Sequence, residues 1–201
     1  MARIAFEKAE IIFRENNGIM RTSQAIKMGI NQHTLIQMYE EGILVREARG
    51  LYRLADLPPL SNPDLVHVST RVPDSVICLI SALNFHNLTT QIPYRVYIAL
   101  PQNTKAPISV FPPLDIVYLS SKPYLAGIEE HLIDGVLVKI YNREKTVSDC
   151  FKFRYKIGKD VALEALKDYL RLPDRQISIL LDYAKINRVE NIIRPYLEAS
   201  L

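Results

Sequence analysis

The sequence has few of the residues that cross-link small secreted proteins or anchor membrane proteins. Its two cysteines, Cys78 and Cys150, are far apart and form no CxxC spacing, which argues against a disulfide framework or a structural zinc site. The longest run of strictly apolar residues is 76–80, far short of the roughly 20 residues that a membrane-spanning helix needs. Charges at Arg3 and Glu7 interrupt the segment where a signal peptide would be apolar. We therefore expect a cytoplasmic protein with reduced thiols in its core.

Motifs of common enzyme classes are also missing from the sequence. No glycine-rich stretch precedes a Lys-Ser or Lys-Thr pair, and no Gly-x-Ser-x-Gly turn exposes a nucleophile. The four histidines stand singly, without the paired spacing of a metal site. His86, His131 and Asp149, taken with the charged segment 143–145, fit no hydrolase pattern. We expect a protein that is not an enzyme and that requires no metal or cofactor.

The residues that are present indicate a folded chain. Hydrophobic residues make up 48% and charged residues 23%, which is typical of globular proteins and not of disordered ones. The net charge is +3, which permits an anionic partner such as DNA without requiring one. The 201 residues suffice for a small domain followed by a larger one.

The first 56 residues predict three helices and a β-hairpin in the order of a winged helix-turn-helix, whose third helix enters the major groove of DNA. Apolar residues at helical spacing and glycine stop signals define the helices, with Thr22 or Ser23 capping the second and Asn31 the third. We expect the third helix to bury Leu35, Ile36, Met38 and Tyr39. The predicted elements span 4–16, 22–28, 32–41, 43–46 and 51–54.

Polar side chains on the second and third helices and arginines on the hairpin would face DNA in this interpretation. The strongest candidates for contacting base edges are Gln32, Thr34 and Gln37. The complete set of candidate DNA-binding residues is Thr22, Ser23, Gln24, Asn31, Gln32, His33, Thr34, Gln37, Arg46, Arg49 and Arg53. Acidic residues nearly match the basic ones in this region, so two alternatives stay open: an ordinary solvated face, or a protein-docking module.

Residues 57–62 predict a proline-rich linker, because Pro58, Pro59 and Pro63 prevent continuous regular structure. The remainder, 63–201, predicts a mixed α/β domain with helices grouped at its end. The predicted fold class is therefore α+β: an N-terminal winged helix-turn-helix over 1–56, then a mixed α/β domain with a helical C-terminal tail. Expected helices of the second domain cover 63–70, 73–85, 144–157, 160–170, 174–184 and 189–199, and expected strands cover 95–100, 108–111, 116–119 and 136–141.

Two separated segments of the second domain carry a family resemblance. The segment PDSVICLISALNFHNLTTQIPYRVYIALP has an apolar helix, a Ser-Ala-Leu, a His-x-Leu-Thr and a strand, and YNREKTVSDCFKFRYKIGKD has an Arg-Glu-x-Thr start at a strand-to-helix junction. With GINQHTLIQMYEEGIL and REARGLYRL in the first domain, the chain resembles the AbiEi family of antitoxins from AbiE abortive-infection (type IV) toxin-antitoxin systems. Asn87 replaces the expected glycine of His-Gly-Leu-Thr, and asparagine also tolerates positive φ.

The resemblance implies a transcriptional repressor and antitoxin. The N-terminal domain would bind double-stranded DNA at operator repeats upstream of its own operon. The C-terminal domain would oppose a nucleotidyltransferase-like toxin without forming a stable complex with it. The alternative is a protein-docking module that neutralises a toxin directly, without specific DNA binding.

The segment after the last predicted strand offers a second group of candidate contacts, for the antitoxin role or for DNA. These residues are Arg143, Glu144, Lys145, Thr146, Lys152, Arg154 and Lys156. The structural alternative is that Glu144 and Thr146 satisfy free N–H groups at a helix start and that the basic residues form a solvated helix face.

Overall fold

The computed structural model describes residues 2–108 and 111–199, and over these residues the chain is an α+β protein with eleven helices and eight strands. Two compact units divide it. The first contains the residues up to 71 together with 131–138, and the second contains 72–130 and the residues from 139 onward. The division falls after Arg71, not in the proline-rich segment 57–62, because the helix that follows this segment packs against a strand of the first unit.

The first unit combines helices with an antiparallel three-stranded sheet of order β1-β3-β2. Strand β1 was not predicted. It forms because Gly18, at φ 75°, turns the chain after the first helix so that Ile19 lies opposite Arg53 of β3. The elements are α1 (Ala2–Glu15), β1 (Ile19–Arg21), α2 (Thr22–Lys27), α3 (Gln32–Glu40), β2 (Leu44–Ala48), β3 (Leu51–Leu54) and α4 (Pro63–Arg71).

One face of α3 closes the core of the first unit. Leu35 and Met38 are fully buried there, as predicted, together with Phe13 of α1. Ile36 and Tyr39 are exposed, so their predicted burial is wrong. With 3.6 residues per turn, Ile36 lies on the opposite side of the helix from the 35/38 face, and Tyr39 lies at its border.

The second unit has a five-stranded mixed sheet of order β6-β5-β4-β8-β7. Strand β4 pairs antiparallel with β5 and parallel with β8, and β5 pairs parallel with β6. The strands are β4 (Val76–Ile77), β5 (Val96–Pro101), β6 (Leu114–Leu119), β7 (Ile128–Ile133) and β8 (Val136–Tyr141). The helices are α5 (Leu79–Phe85), α6 (Ser121–Leu125), α7 (Arg143–Lys152), α8 (Arg154–Ile157), α9 (Lys159–Leu170), α10 (Ile177–Asn187) and α11 (Glu190–Glu198).

The tip of the β7–β8 hairpin belongs to the first unit. Asp134 and Gly135 both have positive φ, which is typical of the tight turns that join antiparallel strands. The Asp134 carboxylate accepts hydrogen bonds from the backbone N–H groups of Ser61 (2.8 Å) and Asn62 (3.2 Å) and from the Ser61 hydroxyl (3.1 Å). The proline-rich segment is therefore held in place at its C-terminal end, which a flexible linker would not be.

Several predictions for the second unit need correction. A helix was expected over 73–85, but the observed helix begins only at Leu79, and strand β4 precedes it. Periodicity does not distinguish a buried strand from a helix within the short apolar run 76–80. The strand expected over 108–111 is wrong, since Ile108 and Phe111 lie in exposed bends; Ser109 and Val110 lie outside the described residues. Strand β7 was not predicted, and the helix expected over 144–157 is interrupted at Phe153.

Other expectations agree with the structure. Cys78 and Cys150 are free and buried, and burial raises the pKa of both thiols. Asn87 has a φ of 57°, so asparagine holds the turn for which glycine was expected. No helix in the described part of the chain is both long and apolar enough to cross a membrane.

Candidate nucleic-acid interface

Helix α3 and its N-cap carry five of the eleven predicted DNA-contacting side chains. Asn31 caps its N-terminus as predicted, with its side-chain oxygen accepting from the backbone N–H of His33 at 2.9 Å. Asn31, Gln32 and His33 are exposed, and Thr34 and Gln37 are half-buried. Because Leu35 and Met38 anchor the opposite face, the exposed residues of the first turn are held on a rigid helix.

Helix α2 begins at Thr22, so its N-cap lies one residue before the predicted positions. Arg21 is its N-cap and provides no side-chain hydrogen bond, so the predicted capping by Thr22 or Ser23 is wrong. The Thr22 backbone N–H instead donates to the carbonyl of Gly50 at 2.9 Å, which fixes this end of α2 to the β2–β3 turn. Ser23 and Gln24 are exposed and Thr22 is half-buried.

Arg21 and Arg71 were not among the predicted contacts. Burial lowers the pKa of Arg21, and the positive charge of Arg71 lowers it further. No local pattern in the sequence identifies this pair, because it depends on how α4 packs.

The β2–β3 hairpin exposes two arginines. Arg46 lies on β2 opposite Tyr52, and Arg49 lies in the turn; both are exposed and neither has a carboxylate partner among the described residues. Their positive charge is therefore available to a phosphate group. These two residues lie where the sequence analysis expected a basic hairpin.

Arg53 does not lie on that surface. Its side chain is buried, with the residue 8% exposed, and Nε donates to Glu47 at 2.5 Å. Nη1 donates to the carbonyls of Leu54 (2.9 Å) and Leu57 (2.5 Å). A register shift between Arg46 and Ala48 turns Glu47 towards Arg53. The prediction of a DNA contact at Arg53 is therefore corrected: this residue stabilises the sheet.

The Arg143–Thr146 segment forms the first turn of α7 and is mostly inaccessible. Glu144, Lys145 and Thr146 are buried, and Arg143 is held by two hydrogen bonds to Asp174, at 3.1 and 2.7 Å. These four residues were candidate contacts for DNA or antitoxicity. Their polar groups are bound within the second unit, but not as the structural alternative expected: Glu144 accepts from the Tyr169 hydroxyl, Thr146 donates to the carbonyl of Tyr141, and Lys145 is buried and not solvated.

A buried ion pair lies at the centre of α7. Lys145 is 0% exposed, and its Nζ lies 2.6 Å from each carboxylate oxygen of Asp149, one helical turn away. The same Nζ lies 4.1 Å from the ring centroid of Tyr141, and Asn187 of α10 donates to Asp149 at 2.7 Å and to Ser148 at 2.8 Å. The pair therefore joins β8, α7 and α10.

Glu144 takes part in a second buried contact. The Tyr169 hydroxyl donates to its carboxylate at 2.9 Å and accepts from the backbone N–H of Gln176 at 2.6 Å. Burial raises the pKa of Tyr169, so the phenol stays protonated and keeps donating. The spacing of Lys145 and Asp149 was visible in the sequence as an i,i+4 pair, but the contributions of Tyr169 and Asn187 were not.

The three remaining candidates differ in accessibility. Lys156 pairs with Asp115 at 3.4 Å and donates to the backbone carbonyl of Ile116 on the edge strand β6. Lys152 is half-buried, and burial lowers its pKa. Arg154 stacks on the exposed ring of Tyr155, with its guanidinium carbon 4.5 Å from the ring centroid. Among the residues that the structure describes, Arg154 and Lys152 have no carboxylate partner.

Two of the four histidines have defined surroundings. His33 is exposed on α3, and His86 Nε2 lies 2.7 Å from the carbonyl of Tyr141 in a part-buried hydrogen bond. Within residues 2–108 and 111–199, no group of three or more His, Cys, Asp or Glu side chains is placed to hold a metal ion.

Comparison with known proteins gives a distant structural neighbour. No protein-family model matches the sequence, and no curated protein sequence matches it significantly. The crystal structure of the RV2827C protein from Mycobacterium tuberculosis is similar over 94% of this chain and 79% of that chain, with a TM-score of 0.53 and 14% sequence identity. At this identity the similarity concerns the fold alone, and it agrees with the α+β class.

Proposed function

We propose that the protein is a DNA-binding transcriptional repressor whose first unit is a winged helix-turn-helix. The observation that carries the proposal is a pair of exposed arginines, Arg46 and Arg49, with no carboxylate partner in the described part of the chain. Their hairpin follows a helix with an exposed polar first turn. The order of α1, α2, α3 and a three-stranded sheet matches the winged helix-turn-helix arrangement. In this function α3 lies in the major groove and the hairpin contacts phosphates.

The side chains of the first unit suit separate tasks in DNA binding. Gln32 and Gln37 carry amides that pair with base edges in the major groove, and Thr34 offers a hydroxyl. Arg46 and Arg49 neutralise phosphates, and the hydroxyl and amide of Ser23 and Gln24 donate to the backbone. Since Arg53 is bound to Glu47, Arg46 and Arg49 supply the charge of the hairpin.

We further propose, from the resemblance to AbiEi antitoxins, that the second unit opposes a nucleotidyltransferase-like toxin and that the chain is not an enzyme. The buried Arg143–Thr146 turn supports a structural role for the Arg-Glu-x-Thr motif in that unit. The antitoxin role then depends on the outer surface of the second unit. Growth rescue of cells expressing the toxin, with the Arg46→Ala, Arg49→Ala double variant alongside, tests whether the two roles separate.

The proposed DNA binding is tested by fluorescence anisotropy with DNA from upstream of its own gene, against scrambled DNA, across a salt series. Wild type should prefer its own DNA, and its affinity should fall with salt because counterions are released from the DNA. The Arg46→Ala, Arg49→Ala double variant should reduce the slope of log affinity against log salt by about two. Lys8→Ala, which removes an exposed cation from α1, is the matched control and should keep the wild-type slope.

Two results would overturn the proposal. One is a folded wild-type protein with no preference for its own upstream DNA. The other is a double variant that binds with wild-type affinity and salt slope, which would remove the hairpin from the interface.

A protein-docking module is the second candidate function, and exposed apolar side chains in the second unit favour it. Ile92, Tyr94 and Phe111 are largely exposed. Their loops lie side by side at the start of β5 and β6, where the backbone N–H of Val96 donates to the carbonyl of Pro113 at 2.9 Å. Exposed apolar patches are typical of protein contacts. Co-elution of the chain with its toxin in size-exclusion chromatography, without DNA preference, would favour this function.

A further inference from the structure

A small cavity in the second unit lies between α7, α8, α9 and α11. Its volume is about 130 Å³, well below the roughly 300–1,000 Å³ of a cleft for a drug-sized ligand. Phe151 and Ala162 form a buried apolar floor, and the rings of Tyr155 and Tyr196 stand at its sides. None of the described residues that line it is acidic.

Two cations lie at the mouth of this cavity and share one aromatic ring. The guanidinium carbon of Arg154 is 4.5 Å from the Tyr155 ring centroid, and the Lys159 Nζ is 5.3 Å from it. Arg154 Nη1 also donates to the carbonyl of Phe151 at 2.8 Å, which fixes the guanidinium. Lys156, between them in sequence, pairs with Asp115, whereas Arg154 and Lys159 have no carboxylate partner in the described chain.

These features select a ligand with two parts. The apolar aromatic interior accommodates a flat ring, and the two unpaired cations accommodate an anion attached to that ring. Arginine binds phosphate with two parallel hydrogen bonds, and bases stack on tyrosine in proteins that bind single strands. A nucleotide has both parts. Tyr155 is 76% exposed, so its ring and the cations on it are open to such a ligand.

The backbone adds to this charge. Helix α9 starts at Lys159, which lines the cavity, with Gly158 as N-cap, so the N–H groups of its first turn have no side-chain cap. Asp160 in the same turn is exposed and is not one of the lining residues.

We propose that this cavity binds one nucleotide unit, with its base against Phe151 and Tyr196 and its phosphate on Arg154 and Lys159. The site is separate from the proposed DNA interface of the first unit and does not depend on it. The nucleotide is supplied either free in solution or by a single-stranded nucleic acid that inserts one base.

Isothermal titration calorimetry of the full chain tests this site with three probes: adenosine monophosphate, a short oligodeoxyadenylate and inorganic phosphate. We expect adenosine monophosphate or the oligonucleotide to bind more tightly than phosphate alone. Arg154→Gln and Lys159→Gln should each weaken binding about tenfold, since each removes a charged hydrogen-bond donor. Lys167→Gln, on the exposed side of α9, is the matched control and should bind as wild type does.

The probes also separate the two sources of the nucleotide. Binding of the oligonucleotide alone assigns the site to single strands, and binding of the mononucleotide alone assigns it to free nucleotide. The Arg46→Ala, Arg49→Ala variant should bind adenosine monophosphate unchanged, which distinguishes this site from the first unit. No heat with either nucleotide probe, phosphate binding as tight as adenosine monophosphate, or unchanged binding in both glutamine variants would overturn the proposal.

Discussion

The β2–β3 hairpin and the first turn of α7 contain similar residues with opposite environments. Both contain arginine and glutamate, and both were candidate contact surfaces in the sequence. On the hairpin, Arg46 and Arg49 are exposed and unpaired, whereas in α7 Lys145 is fully buried against Asp149. Charged residues in a sequence therefore indicate a binding surface only once their partners are known, and Arg53 shows that the two environments also occur within one hairpin.

The largest expected effect comes from breaking the buried pair of α7 on one side. Lys145→Met leaves the Asp149 carboxylate buried without its cation, which should destabilise the second unit by about 3–5 kcal/mol. The double variant Lys145→Met, Asp149→Asn should recover more than half of the loss, since no lone charge remains and Asn187 keeps an acceptor. Urea denaturation followed by circular dichroism measures both. A single variant within about 1 kcal/mol of wild type would contradict a structural role for the pair.

A smaller effect is expected when the buried arginine of the first unit is removed. Arg53→Leu leaves Glu47 and the carbonyls of Leu54 and Leu57 without their donor, which should cost about 2 kcal/mol in unfolding free energy. Below its melting temperature the variant should keep the wild-type salt dependence of DNA binding, because Arg53 contacts no phosphate. A reduced slope of log affinity against log salt in the folded variant would show that Arg53 contacts DNA.

The half-exposed contact between Arg143 and Asp174 should have a modest, pH-dependent effect. The hydrogen bond from Arg143 lowers the pKa of Asp174 in the folded chain. The pair therefore stabilises the fold above the usual aspartate range, and this contribution is lost as the pH falls through about 4 and below. Asp174→Asn should lower the melting temperature at neutral pH, and the difference from wild type should disappear in acid. A difference that stays constant with pH would show that the charge is not its source.

The smallest stability effect is expected for the exposed arginines of the β2–β3 hairpin. Arg46→Ala and Arg49→Ala should each change the unfolding free energy by no more than about 0.5 kcal/mol, because neither side chain is packed or paired. Thermal denaturation of the two variants provides the measurement. A larger loss at either position would mean that the hairpin arginines, like Arg53, hold the fold together.

The elements predicted best from the sequence are those that depend on residues adjacent in the chain. Asn31 as the cap of α3 and the β2–β3 hairpin follow from local spacing and turn chemistry. Strand β1 does not follow from local sequence, because its three residues form a strand only when β3 lies beside them. The two-residue strand β4 likewise depends on pairing with β5 and β8.

The candidate sites show the same dependence on distant partners. The i,i+4 spacing of Lys145 and Asp149 is typical of an exposed helix pair, and its burial follows from Tyr141 and from Asn187, which is 38 residues beyond Asp149. The cavity at Tyr155 joins α8 with Tyr196, so only the folded chain brings its sides together. The exposed polar residues of α3 were each predicted from the sequence, because their polarity does not depend on a distant partner.

The tip of the β7–β8 hairpin, 131–138, affects when the first unit can complete its folding during synthesis. Asp134 binds Ser61 and Asn62, and Asn17 donates to the carbonyl of Gly135, yet these residues are synthesised long after the rest of the first unit. On the ribosome, domains generally fold from the N-terminus as they emerge. Here the N-terminal unit acquires its last contacts only when residue 138 has left the exit tunnel, by which time seven of the eight described strands have been made in full.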